Sequence, residues 1–89
     1  MVIKYTKHVF DKLKLPEVVK LKINLEDINK VLKEPEVVNK SIEPHQSTSK
    51  LTMELSLSVI WKIEDGIIKV ITFYPAKKGR YESKILRGR

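Results

Sequence analysis

The reactive vocabulary of this 89-residue chain is narrow: 18 Lys and Arg, two His, three Tyr and no Cys. The lack of Cys removes disulfides, thiolate zinc sites and thiol nucleophiles together. His8 and His45 stand far apart and form no HExxH or HxxxH spacing, so neither a metal site nor a cofactor is expected. The three glycines, Gly66, Gly79 and Gly88, are too scattered for a Walker or Rossmann phosphate loop or a nucleophile elbow. What remains is cation and proton chemistry. Histidine is the side chain whose ordinary titration falls near neutral pH, which makes His8 a candidate general acid or base. The competing reading is a surface or capping residue beside Lys7 and Lys12. His45 reads as an exposed residue of a polar loop.

The charge is unevenly placed. Lys77, Lys78, Arg80, Lys84, Arg87 and Arg89 against Glu82 give residues 77–89 a charge of +5 out of a net +7. Such a cluster attracts polyanions, either nucleic acid or an acidic protein segment. The plainer alternative is a solubilising tail. The length implies one domain over residues 1–89, with the basic tail appended. The N-terminus meets a charge at Lys4, too early for a signal peptide, and no apolar run approaches membrane-spanning length. A reduced cytoplasm is the expected compartment. The surplus of Lys, Ile, Val and Glu leans toward a heat-adapted host.

Several elements must position these groups. Val2-Ile3-Lys4-Tyr5 reads as a short strand, after which Thr6 is placed to cap a helix with its hydroxyl. Val9, Phe10 and Leu13 form the apolar stripe of that helix, and Pro16 stops it or starts a new turn. Residues 16–23 read as helix or irregular. Asn24 with Asp27 opens a second helix, whose stripe is Leu25, Ile28, Val31 and Leu32. Val37-Val38 begins a strand or locks the helix exit, and residues 39–49 read as a polar loop.

The strongest pattern is the alternation Leu51, Met53, Leu55, Leu57, Val59, Trp61, Ile63, the signature of a long half-buried strand. Asp65-Gly66 predicts a type I′ hairpin turn, and Ile67 to Tyr74 returns as the second strand. A two-residue turn sets Trp61 opposite Val70 and Lys62 opposite Lys69. The core face then collects Leu57, Val59, Trp61, Ile63, Ile68, Val70, Thr72 and Tyr74. The open face collects Ser58, Ile60, Lys62, Glu64, Ile67, Lys69, Ile71 and Phe73. The opposed lysines either splay into water or meet phosphate. Phe73, exposed among isoleucines, is a candidate contact for a base or a partner helix. Residues 50–56 outrun the returning strand and so need another pairing partner, from the chain itself or from a second copy.

Tyr5-Thr6-Lys7-His8, Leu32-Lys33-Glu34-Pro35-Glu36-Val37-Val38 and Val70-Ile71-Thr72-Phe73-Tyr74-Pro75 together resemble a small uncharacterised prokaryotic family placed near the RelE/ParE toxin superfamily. The resemblance covers most of the chain through short motifs. It implies an α+β fold with two N-terminal helices packed on one face of an antiparallel sheet of three to four strands. It also implies a toxin of a toxin–antitoxin pair, held by an acidic antitoxin. RelE-type toxins are metal-independent endoribonucleases that use Lys, Arg and Tyr. By position, the resemblance implies Arg80 for phosphate charge and Tyr81 as acid or stacking platform, with Lys62, Lys69 and His8 completing the catalytic set. Lys77, Lys78, Lys84, Arg87, Arg89 and Phe73 would contact RNA. ParE-like relatives act on protein instead, so a non-catalytic nucleic-acid- or protein-binding module, as a monomer or a homodimer, is the alternative.

Overall fold

In the computed structural model, which describes residues 2–77, the elements are β1 (Ile3–Tyr5), α1 (Lys7–Leu13), α2 (Pro16–Lys20), α3 (Leu25–Lys33), β2 (Val37–Asn39), β3 (His45–Lys50), β4 (Leu55–Glu64) and β5 (Ile67–Lys77). The strands form one sheet in the order β1-β5-β4-β3-β2. Every neighbouring pair is antiparallel except β1, which lies parallel to β5. The expectation of two helices on an antiparallel sheet of three to four strands is thereby overturned. The fold is a small mixed α/β unit with three short helices on a five-stranded sheet. No described helix is long and apolar enough to cross a membrane.

The extra strand is β3, within the stretch expected to be a polar loop. His45-Gln46-Ser47-Thr48-Ser49-Lys50 carries no apolar alternation because neither of its faces needs one. On the core side Ser47 accepts a 2.9 Å hydrogen bond from Trp61 Nε1. On the other side Thr48 shares a 2.8 Å hydrogen bond with Ser58. β4 begins at Leu55 rather than Leu51. The N–H groups of Leu51 and Thr52 both turn back to the Leu55 carbonyl, at 2.8 and 3.0 Å. Lys50 pairs with Ser56, and Leu55 pairs with Lys77. No second copy is required to satisfy this stretch.

The helices follow local chemistry. Pro16 occupies the first position of α2, where its missing donor costs nothing. Lys22 then takes φ 58°, reversing the chain toward α3. Asn24 and Asp27 form the expected capping box, with reciprocal bonds of 3.1 and 3.0 Å. Replacing Asn24 with alanine should lower stability by about 1 kcal/mol in urea titrations. An unchanged midpoint would show the cap to be idle.

The hairpin turn is as expected, with Asp65 at φ 53° and Gly66 at φ 73°. Trp61↔Val70, Lys62↔Lys69, Ile63↔Ile68 and Glu64↔Ile67 all stand in the expected register. Past Val70 the ladder slips. Ile60 pairs with Thr72 and Val59 with Phe73, leaving Ile71 as the extra residue of a bulge. A one-residue insertion moves every later side chain of the strand to the opposite face. Phe73 is therefore fully buried and Tyr74 is 49% exposed, reversing the expected placement of both.

Thr6 stabilises the bulge instead of capping α1. Its N–H donates to the Val70 carbonyl at 3.1 Å and its hydroxyl to the Ile71 carbonyl at 3.0 Å. Thr6→Val should cost about 1–2 kcal/mol by orphaning that carbonyl. Chemical denaturation would reveal it, and a neutral effect would mean the bulge holds itself.

Val9, Val18, Ile23, Ile28 and Val31 from the helical segment pack against Leu57, Val59, Trp61, Val70 and Phe73 as one core. The Tyr5 hydroxyl donates to Asn29 Oδ1, tying β1 to α3, and burial pushes the Tyr5 phenol upward in pKa. The helices thus occupy one side of the sheet. The opposite side is the place to look for chemistry.

Candidate nucleic-acid-binding face

Register decides what the opposite side presents. Lys4 lies beside Lys69, and Lys69 lies beside Lys62, a row of three lysines across β1, β5 and β4. Further along, Thr72 and Ile60 are neighbours, then Tyr74, Ser58 and Thr48, then Ala76, Ser56 and Lys50. The hydroxyls are organised: besides the Thr48–Ser58 bond, Ser56 Oγ donates to the Ala76 carbonyl at 3.2 Å. Ser56, Ser58, Thr48 and Thr72 are all buried despite lying away from the apolar core.

β1 is only three residues long, so α1 takes over the flank of β5 beyond Val70. This brings His8 and Lys12, one helical turn apart, to the edge of the open face. His8 Nε2 lies 3.1 Å from Thr72 Oγ1, and Lys12 Nζ lies 3.4 Å from the same oxygen. Lysine only donates, so Thr72 accepts from Lys12 and its own proton is free to go to His8 Nε2. Lys12 Nζ also sits 4.0 Å from the Tyr74 ring centroid and 5.3 Å from that of Phe73. Burial lowers the Lys12 pKa below its ordinary value, so its ammonium yields a proton more readily.

This cluster is the most site-like arrangement among the described residues. It joins an imidazole, an ammonium eased toward neutrality, a shared hydroxyl and a half-exposed phenol. Of its members only His8 was a candidate from sequence. An unbulged ladder puts Thr72 and Tyr74 on the core face, and the bulge carries no compositional mark. The legible signal was the His8–Lys12 spacing of four, which sets both on one helix face.

The other sequence candidates scatter. Lys62 and Lys69 do face the open side, but Glu64 stands between them. Its Oε2 is 3.1 Å from Lys62 Nζ and its Oε1 is 3.6 Å from Lys69 Nζ. Hydrogen bonding to Lys62, then the charges of Lys62 and Lys69, hold the Glu64 carboxyl below its usual range. The bridging carboxylate offsets the repulsion between the two opposed ammonium groups. Phe73 is sealed in the core and has no face to offer a base. His45 is not exposed as expected. Its ring packs edge-on to Trp61 with centroids 4.8 Å apart, and Nδ1 meets the Ile42 carbonyl at 3.0 Å. Lys77 closes β5 opposite Leu55. Lys78, Arg80, Tyr81, Lys84, Arg87 and Arg89 lie outside the described residues.

No protein-family model matches the chain, and no curated protein or solved structure matches it either.

Proposed function

We propose that the protein binds RNA along the lysine-bearing end of the sheet face turned away from the helices and cleaves it at the His8–Lys12–Thr72 cluster. It would act as a cytoplasmic, RelE-like toxin without a metal or other cofactor, restrained by an acidic antitoxin. The observation that carries the reading is the convergence of His8 Nε2 and Lys12 Nζ on one hydroxyl, at 3.1 and 3.4 Å, beside the exposed Tyr74. A phosphate that takes the place of the Thr72 hydroxyl would meet a cation at Lys12 and a proton acceptor at His8 together. His8 would take the 2′-hydroxyl proton as that oxygen attacks phosphorus. Lys12 would offset the phosphorane charge and protonate the departing 5′-oxygen, leaving a 2′,3′-cyclic phosphate. Tyr74 offers its ring as a surface on which a base can stack. The resemblance in the sequence supports the toxin assignment, and the cationic face suits an acidic antitoxin segment.

Binding without cleavage is the second reading, favoured by the buried state of Thr72, which limits how far a phosphate can enter. Fluorescence anisotropy with a short single-stranded RNA tests the common part. Affinity should fall with salt at a log–log slope of at least about −2, as expected for three or more phosphates neutralised. A flat response would remove RNA from the account.

A further inference from the structure

The geometry points to a second phosphate-binding strip on this face, the row Lys4–Lys69–Lys62, with Glu64 as an internal anion that RNA must displace. This rests on the RNA-binding reading above and deepens it. The three lysines stand on adjacent strands in direct register. Strand spacing makes the row about 10 Å wide. Lys4 is exposed, and Lys62 and Lys69 retain 35% and 42% of their side-chain surface. The row borders a hollow lined by Lys4, Tyr5, Glu64, Asp65, Ile67 and Lys69. Among the described residues Glu64 alone bridges the lysines, and Asp65 belongs to the tight turn beside it.

One carboxylate serving two cations leaves the row with net positive charge, although like charges set side by side on a sheet are unfavourable. A ligand with evenly spaced anions resolves this. Lys69 is three residues along β5 from Thr72, about 10 Å away, so one phosphodiester chain can touch both places. An acidic peptide could also neutralise the lysines, but the phosphate-seeking cluster on the same face favours RNA. Glu64 is then an autoinhibitory contact, mimicking the phosphate until the phosphate arrives.

The test is anisotropy with a short single-stranded RNA across a salt series, using wild type, Glu64→Gln, Lys4→Ala and Lys12→Ala. Glu64→Gln keeps the shape and removes the charge. It should tighten binding about threefold to tenfold and steepen the salt slope by roughly 1 as Lys62 and Lys69 are freed for phosphate. Lys4→Ala should weaken binding about threefold with a shallower slope. If Glu64→Gln binds no tighter, with an unchanged slope, while Lys12→Ala still weakens binding, the lysine row is not a contact and only this inference fails. If Glu64→Gln and Lys4→Ala behave as expected but Lys12→Ala is silent, the row stands and the Thr72 cluster loses its role. Absence of RNA binding by wild type and Glu64→Gln alike would overturn both.

Discussion

Replacing Phe73 with alanine is expected to cost about 3–5 kcal/mol, enough to unfold much of a domain this small at physiological temperature. Phe73 is fully buried, and its ring closes the core between β5 and the helices. A large aromatic removed from such a site leaves a cavity that the short surrounding elements fill only in part. Tyr74→Ala, one residue on, should shift stability by no more than about 1 kcal/mol because nearly half its surface already meets water. The pair discriminates sharply. Without the Ile71 bulge the two costs would exchange places, with Tyr74 in the core and Phe73 outside. Urea titrations of the two variants therefore read the register of β5 directly, and Phe73→Leu, which keeps most of the apolar volume, should fall between them.

The second large effect is catalytic. His8→Ala and Lys12→Ala should each reduce RNA cleavage by about 100-fold or more, the range expected for losing one positioned proton-transfer group. The two losses should differ in kind. On the proposed mechanism Lys12 lends charge to bound phosphate as well as to the transition state, so its removal should raise KM and lower kcat together. His8 should act mainly on kcat. Neither side chain belongs to the apolar core that holds α1 through Val9, so far-ultraviolet circular dichroism should be unchanged, which separates a catalytic loss from a folding defect. Products ending in a 2′,3′-cyclic phosphate are expected. A His8→Ala variant as active as wild type, and equally folded, would assign the proton transfer elsewhere.

What the sequence made legible follows the strength of its local signals. The Asp65-Gly66 turn admits few backbone solutions, so four cross-strand pairs follow from it without reference to the rest of the chain. Asn24 and Asp27 likewise define the start of α3 by short-range hydrogen bonding alone. The misplacements share one origin, which is that tertiary pairing fixed what local pattern left open. β3 is invisible as a strand because Ser47 serves a tryptophan N–H and Thr48 a neighbouring hydroxyl, neither of which leaves an apolar trace. The bulge at Ile71 is invisible because an isoleucine there fits either face. Its carbonyl is satisfied by Thr6, 65 residues earlier in the chain. That bulge alone moved Phe73 inward and Tyr74 outward. It also set Thr72 within reach of His8 and Lys12, so one unread residue reshaped the candidate site. His8 was visible by type, whereas its partners became visible only once the register was known.

The central claim is that RNA lies on the sheet face away from the helices and meets α1 at Thr72. It is tested most directly by following backbone amide resonances of isotope-labelled protein during titration with a short single-stranded RNA at low salt. The account predicts that shifts concentrate on Lys4, His8, Lys12, Lys62, Lys69, Thr72 and Tyr74, and vanish as salt is raised. Shifts confined to α3, on the opposite side of the sheet, or no shifts at all, would contradict it.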